Sequence, residues 1–178
     1  IEQGSGSIFD FALESDKNSE LSLFSKMMNR IPPKSLLLAD DLYNCFAIFD
    51  LLKQQKVDII VPGKRVRNYK VKQTIGNGDE IVEIKKIADP KWLSERKVKS
   101  DTLRMRRIAY KSTKDENKEL VLYSSLTDPS ITKEEIIMKY ASRWDIEINI
   151  REIKTIMDIN IVRSKSVDTA YKEVLAAL

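Results

Sequence analysis

Four polar residues of types that bind phosphate or metal recur at helical spacing in the last third of the chain. Tyr140, Arg143, Glu147 and Lys154 share an arc of about 60° when successive residues of a helix advance by about 100°. Isoleucines border this arc on both sides, which predicts a partly desolvated acid that binds a cation or a metal. The alternative is a surface ladder, because Arg143 and Glu147 form an i,i+4 pair worth about 0.3 kcal/mol on an exposed helix.

The composition narrows the chemistry that this stripe of residues can perform. The chain has 178 residues, no histidine and a single cysteine, Cys45. A Ser-His-Asp or Cys-His unit and a histidine-bearing zinc site are therefore excluded, so catalysis must depend on carboxylates, Lys, Tyr or a bound metal. One cysteine forms no internal disulfide, which fits a reducing compartment. No apolar run reaches the roughly 18 residues that a membrane helix needs.

Alternating strands and helices are predicted over the first 62 residues. In chain order they are a strand at 7–13, a helix from 18–19 to about 29, a strand at 36–39, a helix at about 44–55 and a strand at 57–61. The strand at 36–39 is wholly apolar, which is typical of a strand buried on both faces, and 57–61 is predicted as a second buried strand. The strand-helix-strand order predicts a parallel pair covered by helices. Asp40 and Asp41 directly follow the first strand of this pair.

From Gly63 the pattern changes to antiparallel strands. Period-two alternation predicts a hairpin of 69–74 and 81–85, with further strands at 103–111 and 119–126. Residues 63–112 carry 15 Lys/Arg against 6 Asp/Glu, net +9, whereas the remainder carries 16 against 21. This asymmetry predicts a surface for a polyanion, above all nucleic acid. The alternative is that exposed strand lysines prevent edge pairing and aid solubility.

A capping box opens the helix that carries the stripe. Thr132 and Glu135 have the Thr-x-x-Glu spacing, and the periodicity predicts one continuous helix from there to about Met157.

The stripe Tyr140-x-x-Arg143-x-x-x-Glu147-x-x-x-x-x-x-Lys154 resembles the Tyr-Arg-Glu-Lys signature of a large group of bacterial insertion-sequence transposases. The runs at 156–157 and 162–166 resemble the segment that follows this signature.

The strand before Asp40 supports the same resemblance. Residues 37–43, Leu-Leu-Ala-Asp-Asp-Leu-Tyr, resemble the strand that carries the second catalytic aspartate, which is usually followed by Arg-Gly and an aromatic residue. Asp41 and Leu42 depart from that Arg and Gly, whereas Tyr43 keeps the aromatic position.

The resemblance implies an α/β fold, namely a ribonuclease H-like core interrupted by an antiparallel β insertion, with N-terminal strand(s) of the core missing. Residues 1–62 would form the first part of the core, 63–128 the basic insertion and 129–178 the second part with the catalytic Glu helix. The implied function is binding of transposon-end DNA, metal-dependent phosphodiester cleavage and strand transfer in DNA transposition. Two alternatives stay open, a catalytically dead DNA-binding remnant and a structural domain whose ladder only stabilises its helix.

The resemblance also implies a metal site of three carboxylates, Asp-Asp-Glu, that binds two Mg²⁺ (or Mn²⁺) ions. Such ions stabilise charge on the attacking and leaving oxygens, and hard oxygen ligands suffice to hold them. Asp40 would be the second carboxylate, with Asp41 as the alternative, and Glu147 the third. The first is expected on a strand before 7–13, and Asp10 is not equated with it. The chain alone is therefore expected to be inactive.

Further residues are expected at a DNA interface. By resemblance, Tyr140, Arg143 and Lys154 would contact phosphates beside the cleaved bond. Trp92 would stack on an unpaired base, unless it anchors the β insertion. Arg104 and Arg106 share one strand face suited to the DNA backbone, although a solvated face explains them nearly as well. The expected partners are double-stranded DNA, as transposon ends and target, and a second copy in a synaptic homodimer. The chain is expected in the bacterial cytoplasm, in association with the nucleoid and not with a membrane.

Overall fold

The computed structural model describes residues 1–2, 5, 8–13, 19–63, 68–93, 97–112, 118–144, 148, 151, 155 and 166–177. The chain forms two compact units, one of residues 28–140 and one of residues 1–27 together with 141–178. The α-helices whose full extent is described are α1 (Glu20–Met27), α2 (Phe46–Gln54), α3 (Lys133–Ala141) and α4 (Val167–Ala177). None of the helices in the described part of the chain has the length and apolar character that a membrane crossing requires.

A six-stranded mixed sheet forms the body of the 28–140 unit. Its strands are β1 (Leu36–Leu38), β2 (Asp58–Pro62), β3 (Tyr69–Gly76), β4 (Asp79–Lys85), β5 (Thr102–Lys111) and β6 (Glu119–Ser124). They lie side by side in the order β1-β2-β6-β5-β4-β3. β1 and β2 are parallel and every other neighbouring pair is antiparallel. The predicted parallel pair and the predicted hairpin are both confirmed.

The strands of the predicted core and those of the predicted insertion belong to this one sheet. β2 pairs directly with β6, with Ile60 opposite Ser124. The sheet is therefore continuous across the predicted boundaries at 62/63 and 128/129. The division of the chain into a core and an insertion stays a prediction. β1 is half-buried rather than wholly buried, because it lies at the sheet edge.

Helix α3 packs on one face of the sheet because its apolar residues repeat every four positions. Ile136 and Tyr140 are buried against Ile60, Ile108 and Leu122. The predicted capping box is confirmed, because it forms the start of this helix. The carboxylate of Glu135 accepts from the backbone N–H of Thr132 at 2.6 Å, and the N–H of Glu135 donates to the Thr132 hydroxyl at 3.2 Å.

Helix α2 connects the parallel strands and contacts β2 and β5. Its residues Ala47 to Leu52 are all buried, including Asp50. The carboxylate of Asp50 accepts hydrogen bonds from Gln54 Nε2 at 2.6 Å and from the backbone N–H of Lys99 at 2.8 Å. Burial raises the pKa of Asp50, but hydrogen bonds from Ser100, Lys99 and Gln54 outweigh burial and hold it below its ordinary value of 3.8. Asp50 thus ties the segment before β5 to α2.

Arg106 is the largest fully buried side chain of the described residues, with 1% of its surface exposed. Its guanidinium donates twice to the Asp79 carboxylate, from Nε at 2.8 Å and from Nη2 at 2.6 Å. The remaining nitrogen, Nη1, donates to the carbonyls of Asp128 at 3.1 Å and Ile131 at 2.6 Å. The expectation that Arg106 contacts DNA is therefore wrong, because its donors are directed at partners inside the protein and no surface is left for a phosphate.

Two predicted elements differ from the structure. Residues 8–13 form no strand; the Asp10 side chain instead accepts from the neighbouring N–H of Phe11 at 2.9 Å. The predicted continuous helix to Met157 is interrupted, since α3 ends at Ala141 and Ser142 lies in a turn. Arg143 and Trp144 are helical again, as are the described residues 148, 151 and 155. Apolar periodicity alone does not detect such a break, because it continues across it.

Two helices of the other unit begin at serine caps. The Ser19 hydroxyl accepts from the N–H of Ser22 at 3.2 Å before α1, which confirms the predicted cap at this position. The Ser166 hydroxyl accepts from the N–H of Thr169 at 3.2 Å before α4. Phe11 stacks on Tyr171 of α4 with ring centroids 4.8 Å apart.

Arg106→Met is expected to lower the free energy of unfolding by about 3–5 kcal/mol, because it leaves the Asp79 carboxylate buried without its cation. Denaturant unfolding of the two variants Arg106→Met and Arg104→Met provides the comparison. Arg104 is exposed on the same strand, so its change is expected to stay within about 0.5 kcal/mol. Equal losses in the two variants would contradict the assignment. Adding Asp79→Leu to Arg106→Met is expected to recover part of the loss.

Asp50→Asn is expected to lower the free energy of unfolding by about 1.5–3 kcal/mol at neutral pH, because hydrogen bonds to a charged acceptor are weakened. The folded-state pKa of Asp50 is lowered, so its stabilisation is present above the ordinary pKa of 3.8 and is lost as the pH falls through the lowered value. Unfolding curves at several pH values should therefore show a shallower acid loss in the variant. The exposed Asp101→Asn is the control; the same shallowing there would refute the role of Asp50.

Candidate functional site

Asp40 lies at the carboxyl end of β1, where the parallel pair opens. The N–H of Ala39 donates to the carbonyl of Ile60 at 3.2 Å, which carries the pairing one residue beyond β1. Asp40 then caps a 3-10 turn of Asp41–Tyr43, and its Oδ1 accepts from the N–H of Leu42 at 2.8 Å. Its side chain is exposed. The carboxyl ends of parallel strands are where α/β proteins commonly bind ligands.

The backbone on both sides of Asp40 is fixed by side chains from distant parts of the unit. The hydroxyl of Tyr140, on α3, donates to the carbonyl of Ala39 at 3.2 Å, and the Tyr140 side chain is buried with 9% exposed. On the other side, Asn44 Nδ2 donates to the carbonyl of Pro62 at the end of β2 at 2.9 Å. These two bonds hold the exposed carboxylate between α3 and β2.

Asp40 and Asp41 differ in their surroundings. Asp40 is exposed in extended backbone at the end of the strand, whereas Asp41 is half-buried as the first residue of the 3-10 turn. The exposed position favours Asp40 as the carboxylate that is open to a ligand. The resemblance to the family assigns Asp40 and leaves Asp41 as the alternative, because a shift of one residue in the strand end exchanges them.

Glu147 and Lys154 lie outside the described residues, so their position relative to Asp40 stays a prediction. Among the residues that the structure describes, no three side chains of Asp, Glu, Cys or His are close enough to hold a metal ion together. The donor that is present, an exposed carboxylate with hard oxygens, fits Mg²⁺ chemistry as one ligand of a larger set.

Arg143 and Tyr140 belong to different units of the chain. Arg143 is half-buried, and its guanidinium carbon lies 5.8 Å from the centroid of the Trp144 ring, within cation–π range. Trp144 is 60% exposed. From the sequence, Trp144 reads only as an apolar border of the stripe; the structure adds an aromatic surface beside the predicted phosphate-binding arginine.

The predicted DNA contacts on the sheet unit have different surroundings. Trp92 is half-buried in a turn after β4, closed by a bond from Leu93 N–H to Pro90 O at 3.0 Å. Arg104 is exposed on β5. Arg106, two residues further on the same face, is buried by the segment before α3 and leaves the set of candidate contacts.

The two long-range bonds that position Asp40 are not predicted by the sequence, although Tyr140 itself is a predicted site residue. Asn44 reads as a helix start, and nothing in its spacing points to Pro62. The bond from Tyr140 to Ala39 joins residues 101 positions apart, so no local pattern predicts it.

Tyr140→Phe is expected to lower the free energy of unfolding by about 0.5–1.5 kcal/mol, because the Ala39 carbonyl loses its donor. The Leu42 amide, held by Asp40, should exchange its hydrogen faster in the variant. Hydrogen exchange followed by NMR measures both effects. Tyr110→Phe, a half-buried tyrosine of β5, is the matched control. Unchanged protection of Leu42 in Tyr140→Phe would contradict the positioning role.

Comparison with known proteins identifies the fold family. The family model for the transposase DDE domain matches residues 1–178, the whole chain. No curated protein and no solved structure matches. The α/β fold with its mixed sheet, and an exposed aspartate directly after a short parallel strand, is consistent with this match. The resemblance drawn from the Tyr-Arg-Glu-Lys stripe is thus confirmed at the level of the family, and the chain belongs to the transposase DDE domain family.

Proposed function

We propose that this chain is the catalytic region of an insertion-sequence transposase of the Tyr-Arg-Glu-Lys group, which binds transposon-end DNA, cleaves a phosphodiester bond and transfers the strand. The family supports transposition and nuclease activity. The observation that carries the proposal is the exposed Asp40 carboxylate, fixed at the carboxyl end of the parallel pair by the bonds that Tyr140 and Asn44 make on either side of it.

Transposases of this family generally use divalent metal ions. We assign Asp40 and Glu147 as ligands of Mg²⁺ or Mn²⁺, with two ions in the complete site. Bound ions of this kind lower the pKa of the attacking hydroxyl and stabilise charge on both reacting oxygens. Asp40 would supply one carboxylate oxygen that is open to a metal ion. Its Oδ1 accepts from the Leu42 N–H, whereas Oδ2 has no hydrogen-bond partner within the described residues.

The role of Tyr140 in this proposal is positional. A tyrosine hydroxyl has one proton, and Tyr140 donates it to the Ala39 carbonyl. It therefore cannot donate to a phosphate at the same time, and it acts on the reaction through the backbone that carries Asp40.

The proposed contacts to double-stranded DNA are Arg143, Lys154, Trp92 and Arg104. Arg143 offers a planar fork for phosphate oxygens, and its neighbour Trp144 offers an exposed ring for stacking. Arg104 is exposed on the strand that continues into the buried Arg106, so a rigid sheet supports it. Synapsis of two DNA ends by a homodimer in the bacterial cytoplasm completes the proposal.

In the complete gene product, Asp40→Asn is expected to reduce metal-dependent cleavage of transposon-end DNA by more than about a hundredfold, because one oxygen ligand becomes a neutral amide. Asp41→Asn is the matched control, since it makes the same change one residue away, and should retain most of the cleavage. Single-turnover cleavage and DNA affinity are measured for both variants, and affinity should stay within about twofold of the original.

The outcomes separate the alternatives. Full cleavage by Asp40→Asn, or loss only in Asp41→Asn, would overturn the assignment of Asp40. DNA binding without cleavage in the unaltered complete protein would instead identify a catalytically dead DNA-binding remnant. Glu147→Gln tests the third carboxylate in the same assay and should also lose cleavage with binding preserved.

A further inference from the structure

A groove of about 690 Å³ lies at the opposite end of the parallel pair from Asp40. Its cationic side chains are Lys34 before β1, Lys53 at the end of α2, Lys56 before β2 and Arg104 at the start of β5, and all four are exposed. Three of the four come from the segment 34–56, which the charge count assigns to the less basic part of the chain. The fold, not the local composition, gathers them.

The cationic side chains of the groove are available to bind an anion. Within the described part of the chain, none of these four cationic side chains forms an ion pair or a hydrogen bond. By contrast, the two carboxylates that line the groove have partners. Glu83 pairs with Lys72 at 3.0 Å, and Asp58 accepts from the hydroxyl of Ser125 at 2.6 Å.

Two of the lysines occupy constrained backbone positions. Lys34 and Lys56 have φ values of 66° and 59°, and they are the positive-φ residues other than glycine among those described. This conformation costs a residue with a side chain roughly 1 kcal/mol relative to glycine. The N–H of Lys34 donates to the carbonyl of Lys56 at 2.7 Å, so a hydrogen bond joins the two turns that carry these lysines. The backbone that carries the two lysine side chains is thus fixed.

We propose that this groove binds the phosphodiester backbone of duplex DNA at a second contact, away from the bond that is cleaved. This inference rests on the proposed function. Several unpaired cations spread over a rigid groove match a row of phosphates, which lie at regular intervals along a duplex. Arg104 is shared with the basic strands, so the groove joins the α/β part of the chain to the basic segment.

The separation of the groove from Asp40 sets where this contact falls on the DNA. Lys34 and Asp40 flank the same short strand and are six residues apart. An extended chain of this length spans at most about 20 Å. At about 3.4 Å per base pair, the end of the groove at Lys34 is expected to meet the backbone within about six base pairs of the bond that is cleaved at Asp40.

The test is the salt dependence of binding by the complete gene product carrying Lys53→Gln and Lys56→Gln together. Glutamine keeps the polar stem and removes the charge. Loss of two phosphate contacts should reduce the slope of log affinity against log salt by about 1.8. It should also weaken binding to a transposon-end duplex roughly tenfold to a hundredfold near 0.1 M salt. Hydroxyl-radical footprinting should lose protection within about six base pairs of the cut.

The matched control is Lys26→Gln with Lys172→Gln. Both of these lysines are exposed and lie in α1 and α4, outside the groove and outside the basic segment 63–112. The proposal requires the control to keep slope and footprint. An equal loss in the control, or an unchanged slope in the groove variant, would overturn it.

A substitute variant and three further outcomes complete the test. If the double variant fails to fold, as judged by its thermal melting, Lys53→Gln alone is used instead and should lower the slope by about 0.9. Binding to vesicles rich in anionic lipid but not to the duplex would overturn the choice of DNA as the partner. Failure of the unaltered protein to bind or cleave transposon ends would refute the proposed function itself. Normal binding and cleavage with an unchanged groove variant would refute only the groove.

Discussion

The buried ion pair of Arg106 and Asp79 is the interaction on which the candidate site depends. The Arg106 guanidinium joins β5 to β4 through the Asp79 carboxylate, and it also holds the chain of 128–131 by donating to two of its carbonyls. That chain leads directly into α3. Since α3 delivers the Tyr140 hydroxyl to the Ala39 carbonyl, the anchor at Arg106 reaches Asp40 through one helix. Such a pair adds little net stability over apolar residues, but removing one partner is costly, so its main effect is to fix one arrangement.

The sequence predicts well those elements whose signal is local. The apolar run before Asp40, the hairpin at Gly76–Gly78 and the Thr132–Glu135 capping box depend on neighbouring residues, and each forms as expected. The family is also predicted, because its signature is a spacing along one segment and the family model matches the whole chain.

The sequence does not predict features that depend on which surfaces meet. Arg104 and Arg106 have the same period-two position, yet one is exposed and the other is buried, because only the second lies under the chain that leads to α3. Ser142 interrupts a helix whose apolar periodicity continues without a break. Likewise, Lys34 and Arg104 are distant in sequence from Lys53 and Lys56, so only the fold shows that the four line a common groove.

The two ends of the parallel pair are suited to different tasks because they are separated in space. A lysine within a few ångströms of Asp40 would pair with the carboxylate and compete with a metal ion for its oxygens. Among the described residues, none of the groove cations forms an ion pair with the Asp40 carboxylate. They can therefore bind phosphates without neutralising the carboxylate. A short strand fixed at both ends by hydrogen bonds thus sets the distance between a carboxylate that binds a metal and cations that bind DNA.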